Sequence, residues 1–198
     1  MPTFSVVTAT YDAPNRLRTL ERTIDSVQNQ LQNGDEYLIV GDGPQEWARL
    51  LAGRYPRVRY LETPEDHTWG NVQRQAGLEA AHGSHLIFID DDNVMAPGAL
   101  AVVREAVAEK PTALFLFRTL YFNYAGVPDG GTVWRIREIR HSNVDSGNIV
   151  IPRRDDLVSW LVPDKRLYEA DYHFILNNAA VIGEVVWREE ILTIVRPN

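Results

Sequence analysis

The chain has 198 residues, enough for one sizeable core and too few for two comfortable domains. It is 44% hydrophobic and 24% charged, which excludes wholesale disorder. Twenty Lys plus Arg against 27 Asp plus Glu leave a net charge of −7, which argues against electrostatic wrapping of nucleic acid. No apolar run reaches the roughly 18 residues of a membrane span, and no basic segment followed by an apolar run opens the chain. The absence of cysteine excludes disulfides, a thiolate nucleophile and Cys-ligated zinc. A cytoplasmic protein is the expectation.

Residues 4–10 form a short β-branched run that stops at a turn cluster over 11–14. Leu17, Leu20, Ile24, Val27 and Leu31 then fall at helical spacing, and Asn33 with Gly34 ends that helix. Residues 37–40 read as a second strand closed by Gly41 to Pro44, 45–52 as a short helix and 58–61 as a third strand. After a polar loop over 62–70, Val72, Ala76 and Ala80 mark another helical face, stopped by Gly83. Residues 86–89 are an unbroken apolar run, the pattern of a parallel strand buried on both faces. Pro97 opens the next helix, with its stripe at Leu100, Val103 and Val107. Strand and helix alternate through short connections, which predicts an open, mainly parallel α/β sheet flanked by helices. Beyond Pro111 the alternation fades. Strands are expected over 113–121, 133–139, 181–187 and 191–195, a loop over 126–131, and helices over 155–161 and 169–177. One domain is expected, with 1–95 as a nucleotide-binding half and 96–198 as an acceptor-facing half.

The densest chemical signal is Asp90, Asp91, Asp92 and Asn93, directly after the most hydrophobic strand. Ligands gather at the carboxyl ends of strands in open parallel sheets. Three adjacent carboxylates repel one another unless a cation or solvent relieves them, and Mg²⁺ or Mn²⁺ favours such oxygens together with substrate phosphates. The bland alternative is a solvated acidic loop capping the following helix. Asp42, between Gly41 and Gly43, ends the second strand, as Thr8 to Tyr11 end the first. A carboxylate can accept a base N–H, and Tyr11 can stack on a base. Asp42 could equally bond its own turn. Arg74 lies near a helix start, suited to a phosphate or base, and Glu169 and Asp171 stand near the start of a late helix. His67 and His173 read as histidines bonded to neighbours and are not assigned to a metal.

In order along the chain, these pieces resemble the family 2 glycosyltransferases of the GT-A fold, closely over residues 4–93 and more loosely over 146–174. The first strand ending in Thr10 and Tyr11 is similar to the family's first strand, and Asp42 to its second-strand aspartate. Arg74-Gln75-Ala76-Gly77 resembles the R-N-x-G element, with Gln75 for the usual Asn, and Asp90 to Asn93 resembles the D-x-D element. The resemblance implies a single GT-A (Rossmann-like) domain that takes a nucleotide-sugar donor, most simply a UDP-sugar. Thr8, Thr10, Tyr11, Asp42, Arg74, Asp90 and Asp91 would hold the donor. Two alignments of the acidic triplet exist, and both place Asp92 on a Mn²⁺ or Mg²⁺ ion. The family's E-D element is matched by Glu169 and Asp171 with one residue inserted, which makes Asp171 the base and Glu169 its support. Ser146, Gly147 and Asn148 resemble the segment lining the acceptor side.

The reaction so implied is inverting displacement at the anomeric carbon, with Asp171 taking the acceptor's proton and the metal on Asp92 offsetting charge on the leaving diphosphate. Arg135, Arg137 and Arg140 next to aromatic residues suggest a phosphate-bearing acceptor (a lipid phosphate, a polymer or a modified nucleic acid), or simply the solvent side of a strand. Two rivals share the pattern in part. A nucleotidyltransferase of similar fold would carry a Gly-rich loop after the first strand, where 10–14 has no glycine. A non-catalytic nucleotide-sugar-binding module would lack turnover.

Overall fold

The computed structural model describes residues 1–121, 131–133 (backbone), 136–162 and 168–195. Among the described residues nine strands and five helices follow one another as β1 (Phe4–Thr10), α1 (Arg16–Gln28), β2 (Glu36–Asp42), α2 (Glu46–Ala52), β3 (Val58–Thr63), α3 (Asn71–Ala80), β4 (His85–Phe88), β5 (Val94–Met95), α4 (Ala99–Glu109), β6 (Leu114–Tyr121), β7 (Gly131–Val133), β8 (Ile149–Pro152), α5 (Ala170–Ile182) and β9 (Val185–Val195). A 3₁₀ turn over Ser146–Asn148 leads into β8. All nine strands join one sheet, in the order β3-β2-β1-β4-β8-β6-β9-β5 with β7 on β6. β1 to β4 are mutually parallel, β8 runs against β4 and β6, and β6 and β9 are again parallel. Six strands therefore share one direction, and the α/β, mainly parallel expectation holds. No helix among the described residues is long and apolar enough to cross a membrane.

Strand alternation sorts the core into two layers. Val6, Tyr37, Ile39, Ile87 and Phe115 point to the face covered by α1, α2 and α4, where Leu20, Ile24, Leu51, Leu100 and Val103 meet them. Val7, Leu38, Val40, Leu86, Phe88 and Leu116 point to the face covered by α3 and α5. There Trp160 stacks on Phe174 at 4.1 Å between centroids, and Phe88 meets both rings edge-on. α3 lies unusually close to β1. A Cβ on Gly77 would stand 2.3 Å from Val7 Cγ1, so the glycine of the Arg74–Gly77 element is required by helix–strand approach.

The later half departs from the sequence expectations in several places. Residues 155–161 form no helix, because neighbouring side chains take the backbone groups a helix would use. Asn178 accepts from Val158 N at 2.8 Å and donates to Val158 O at 3.0 Å, while Gln75 Oε1 accepts from Trp160 N at 2.9 Å. α5 runs on through Val181 and Ile182 until Gly183 closes it at φ 80°, so the strand begins only at Val185. The two expected final strands are one bulged strand against β6. β5 has no sequence signature of its own, and its pairing with β9 creates it. Of the strand expected over 133–139, Val133 ends β7 and 136–138 are a bend, while 134–135 lie outside the described residues, as do 126–130 of the expected loop. Pro97 stands one residue before the helix cap at Gly98.

Candidate functional site

Sheet order 3-2-1-4 reverses direction between β1 and β4, and a cleft of about 600 Å³ opens there at the carboxyl ends of the strands. It is lined by Thr10 and Tyr11 at the end of β1, Asp42 at the end of β2, Asp90 to Asn93 after β4, Trp69, Gly70, Asn71, Gln73 and Arg74 before and within α3, and Asp145, Ser146, Tyr168 and Asp171 from the later half. Neither half of the chain forms this cleft alone.

The acidic loop is braced from α1. Thr23 Oγ1 donates to Asn93 O at 2.6 Å, and Arg22 Nη2 to Asp92 O at 2.9 Å. Asp91 is buried, accepts from Thr10 Oγ1 at 2.8 Å, and meets Arg16 Nη1 at 2.5 Å. Burial pushes its carboxyl up to about 7, against the pull of the Arg16 guanidinium and the Thr10 hydroxyl. Asp92 is more exposed and stands 3.2 Å from the same Nη1. Arg16 also lies over the Tyr11 ring, 4.4 Å from its centroid. Arg16 thus bridges Asp91 and Asp92.

Asp42 is a hub. Its Oδ1 accepts from Asp66 N at 2.7 Å and from Gln73 Nε2 at 2.9 Å, and its Oδ2 from His67 N at 3.0 Å. It thereby folds the 64–70 loop over the ends of β2 and β3. Arg74 clamps the other side of that loop, giving Nη1 to Trp69 O at 2.9 Å and Nη2 to Asp90 Oδ1 at 2.6 Å, with its guanidinium 5.4 Å over Trp160.

On the opposite wall Asp171 opens α5, and its carboxyl is held above the usual range by burial and by the charge of Asp90, against Tyr172 N–H and Arg74. Asp145 faces the same space. Its Oδ2 accepts from Tyr121 OH at 2.9 Å and its Oδ1 from Gly147 N at 2.8 Å, capping the 3₁₀ turn. Burial, then the charge of Asp171, push it up to about 7. Ser146 Oγ reaches Asp90 Oδ1 at 3.3 Å.

Of the residues expected at the site, Thr10, Tyr11, Asp42, Arg74, Asp90, Asp91, Asp92, Ser146 and Asp171 come together in the lining. Four do not. Thr8 lies under the floor, bonded to Tyr37 OH and Ile89 O, both at 2.8 Å. Asn148 is fully buried and bonds Phe117 O and Thr119 Oγ1. Gly147 is packed on Thr193. Glu169 points away, its carboxylate 2.8 Å from His141 Nε2. The sequence reading missed Arg16, Asp145, Trp69 and Tyr168. Asp145 was legible in principle, since Asp145 and Asn148 are spaced as a capping pair. Arg16 follows the first strand–helix loop, a ligand-facing position in this topology. Of the arginines suggested for a phosphate-bearing acceptor, Arg137 pairs with Glu189 at 3.0 Å, and Arg135 lies outside the described residues.

Among the described residues no group of three His, Asp or Glu side chains is arranged to hold a metal ion unaided. The chemistry of the lining nonetheless fits a substrate-borne divalent cation. Six aspartates against two arginines face the cleft, and such ions commonly bind through one or two carboxylates plus substrate phosphates.

The model of the family described as Glycosyl transferase family 2 matches residues 5–154. A putative glycosyltransferase EpsH of Bacillus subtilis is 29% identical over 98 residues, 48% of this chain and 28% of the relative. The GalNAc(5)-diNAcBac-PP-undecaprenol beta-1,3-glucosyltransferase of Campylobacter jejuni is 27% identical over 113 residues, 55% of this chain and 36% of the relative. The chain therefore spans about a third of the length of these curated relatives. Among solved structures, S. aureus TarS superposes with a TM-score of 0.78 at 15% identity, over 98% of this chain and 37% of that one. TarS 1–349 in complex with UDP-GlcNAc gives 0.76 at 15% identity, over 99% and 59%. The likeness shows a shared fold.

Proposed function

The chain belongs to glycosyl transferase family 2, and from that membership we propose that it transfers a sugar from a nucleoside-diphosphate sugar to an acceptor hydroxyl. The observation that carries this is the convergence in one cleft of Asp42, Arg74 and Asp90–Asp92, from two strand ends and α3, with a half-buried carboxylate, Asp171, on the facing wall. A UDP-sugar is the simplest donor, supported by the fold shared with a TarS structure in complex with UDP-GlcNAc. Tyr11 offers a ring to the base, Asp42 a fixed carboxylate, and Arg74 and Arg16 positive charge to the diphosphate.

A diphosphate entering a cleft lined by six aspartates meets net repulsion. Asp92, the least encumbered member of the triplet's pair on Arg16, is the residue that would hold a Mn²⁺ or Mg²⁺ ion there, whose chemistry is to neutralise the leaving diphosphate. Asp171 would accept the proton of the acceptor hydroxyl as that oxygen attacks the anomeric carbon from the face opposite the leaving group, which inverts the configuration. Its raised pKa makes it a stronger base than an ordinary carboxylate. Asp145, beside it, keeps this wall acidic and anchors the Ser146 turn.

The test is thermal stability against a panel of nucleoside diphosphates, with and without Mn²⁺, for the wild type and Asp92→Ala. A folded-state ligand at 100 times its Kd adds about 2.7 kcal/mol. The expected result is a rise in Tm with UDP plus Mn²⁺ that Asp92→Ala loses. No shift with any nucleotide would refute the donor reading.

A further inference from the structure

Two large aromatic side chains stand on the rim of the cleft with most of their surface in water. Trp69 is 63% exposed and Tyr168 72%, and their rings meet edge to face at 5.3 Å between centroids. Trp69 comes from the loop entering α3, the helix that carries Arg74. Tyr168 stands three residues before Asp171, ahead of the helix that carries it. The pair therefore spans the cleft between the donor side and the proposed base.

Nothing in the core requires the indole to be there. Trp69 holds the left-handed region at φ 58°, between His67 at φ 50° and Gly70 at φ 82°, a conformation that side-chain-bearing residues avoid. The bond from Arg74 Nη1 to Trp69 O at 2.9 Å keeps it in place. Strained backbone that presents an apolar ring to solvent at the mouth of a cleft is the mark of a ligand contact.

The neighbouring charges state what kind of ligand. Asp145 and Asp171 line the wall beyond the aromatic pair, with Asp90 beside them paired to Arg74, and burial, then the charge of Asp171, holds the Asp145 carboxyl above the usual range. They disfavour a phosphate at this point. They accept hydrogen bonds from hydroxyls, and an aromatic face accepts the apolar C–H face of a sugar ring. An aromatic platform followed by carboxylate acceptors suits an uncharged pyranose.

We propose that Trp69 and Tyr168 form an acceptor subsite that stacks a neutral sugar ring, so that the group presented to Asp171 is a saccharide hydroxyl. The inference rests on the glycosyl-transfer reading and names its acceptor class. It is tested on the full chain, with UDP and Mn²⁺ present, by saturation-transfer NMR titration of three uncharged probes (methyl β-glucopyranoside, maltotriose and chitobiose) and one charged probe, glycerol phosphate. The expected result is that at least one saccharide binds. Trp69→Ala weakens it at least tenfold, Trp69→Phe restores most of the loss, and UDP affinity stays within about twofold. Saccharide affinity unchanged in Trp69→Ala, no saccharide signal from the wild type, or stronger binding of glycerol phosphate than of every sugar would each overturn it. Failure of the wild type to bind UDP would sink the donor reading instead, and the saccharide titration would still decide this one.

Discussion

Replacing Asp145 by Asn tests whether the acidic wall is held at a cost to stability. In the folded protein this carboxyl is pushed up to about 7, from about 3.9 for an ordinary aspartate. Holding its proton that far up the pH scale corresponds to roughly 4 kcal/mol, as an upper bound. Water in the cleft screens part of that, so about 2 kcal/mol is the expected effect. The folded protein retains a proton that the unfolded chain releases as pH rises from about 4 to 7. The wild type therefore loses stability across that window, and the full penalty applies above it. Asn keeps the shape and can still accept from Gly147 N while giving its amide to Tyr121 OH. The variant should melt about 4–8 °C above the wild type at pH 8, at about 2–4 °C per kcal/mol for a chain of this size, with the difference falling below about 3 °C at pH 5. Carboxylates remote from this wall titrate alike in both proteins and cancel, while Asp171 is relieved of the Asp145 charge in the variant, which adds to the gain at pH 8. Scanning calorimetry at the two pH values decides it. Equal melting temperatures throughout, or a less stable variant at pH 8, would refute the reasoning.

Asp171→Asn should abolish sugar transfer while leaving UDP affinity nearly unchanged, checked by product formation beside a calorimetric UDP titration. Arg16→Gln removes the partner of buried Asp91 and of Asp92 and should destabilise by about 3 kcal/mol at pH 8. That loss should shrink towards pH 5 as Asp91, whose carboxyl lies at about 7, takes up its proton. Gly77→Ala would place a methyl 2.3 Å from Val7 Cγ1, and overpacking of this kind should lower stability by about 1–3 kcal/mol in urea denaturation.

The first ninety residues were legible because their physics is local. Val6 and Val7, Leu38 and Ile39, and Ile87 and Phe88 are apolar in succession, since both faces of those strands are covered. Strand ends in such a sheet converge on the switch point, so Asp42 and Asp90 to Asp92 could be placed from order alone. The later half was harder because distant side chains decide its backbone. Asn178 and Gln75 hold residues 158–160 out of a helix, and β5 exists only because β9 passes beside it.

The residues of the first half were enough to give the strand–helix alternation, the shared direction of β1 to β4 and which end of the sheet carries the chemistry, because hydrophobic period and turn residues act over a few positions. Only the tertiary structure decided which side chains share the cleft. Glu169 and Asp171 are two positions apart, yet Glu169 caps α5 from outside and turns to His141, while Asp171 in the first turn faces the cleft. Thr8 and Thr10 lie on one face of β1, but the strand end lifts only Thr10 into the lining. Asp145 and Arg16, unremarkable in the chain, become site residues because folding sets them against Asp171 and Asp91, and the energy of a charge depends on what surrounds it.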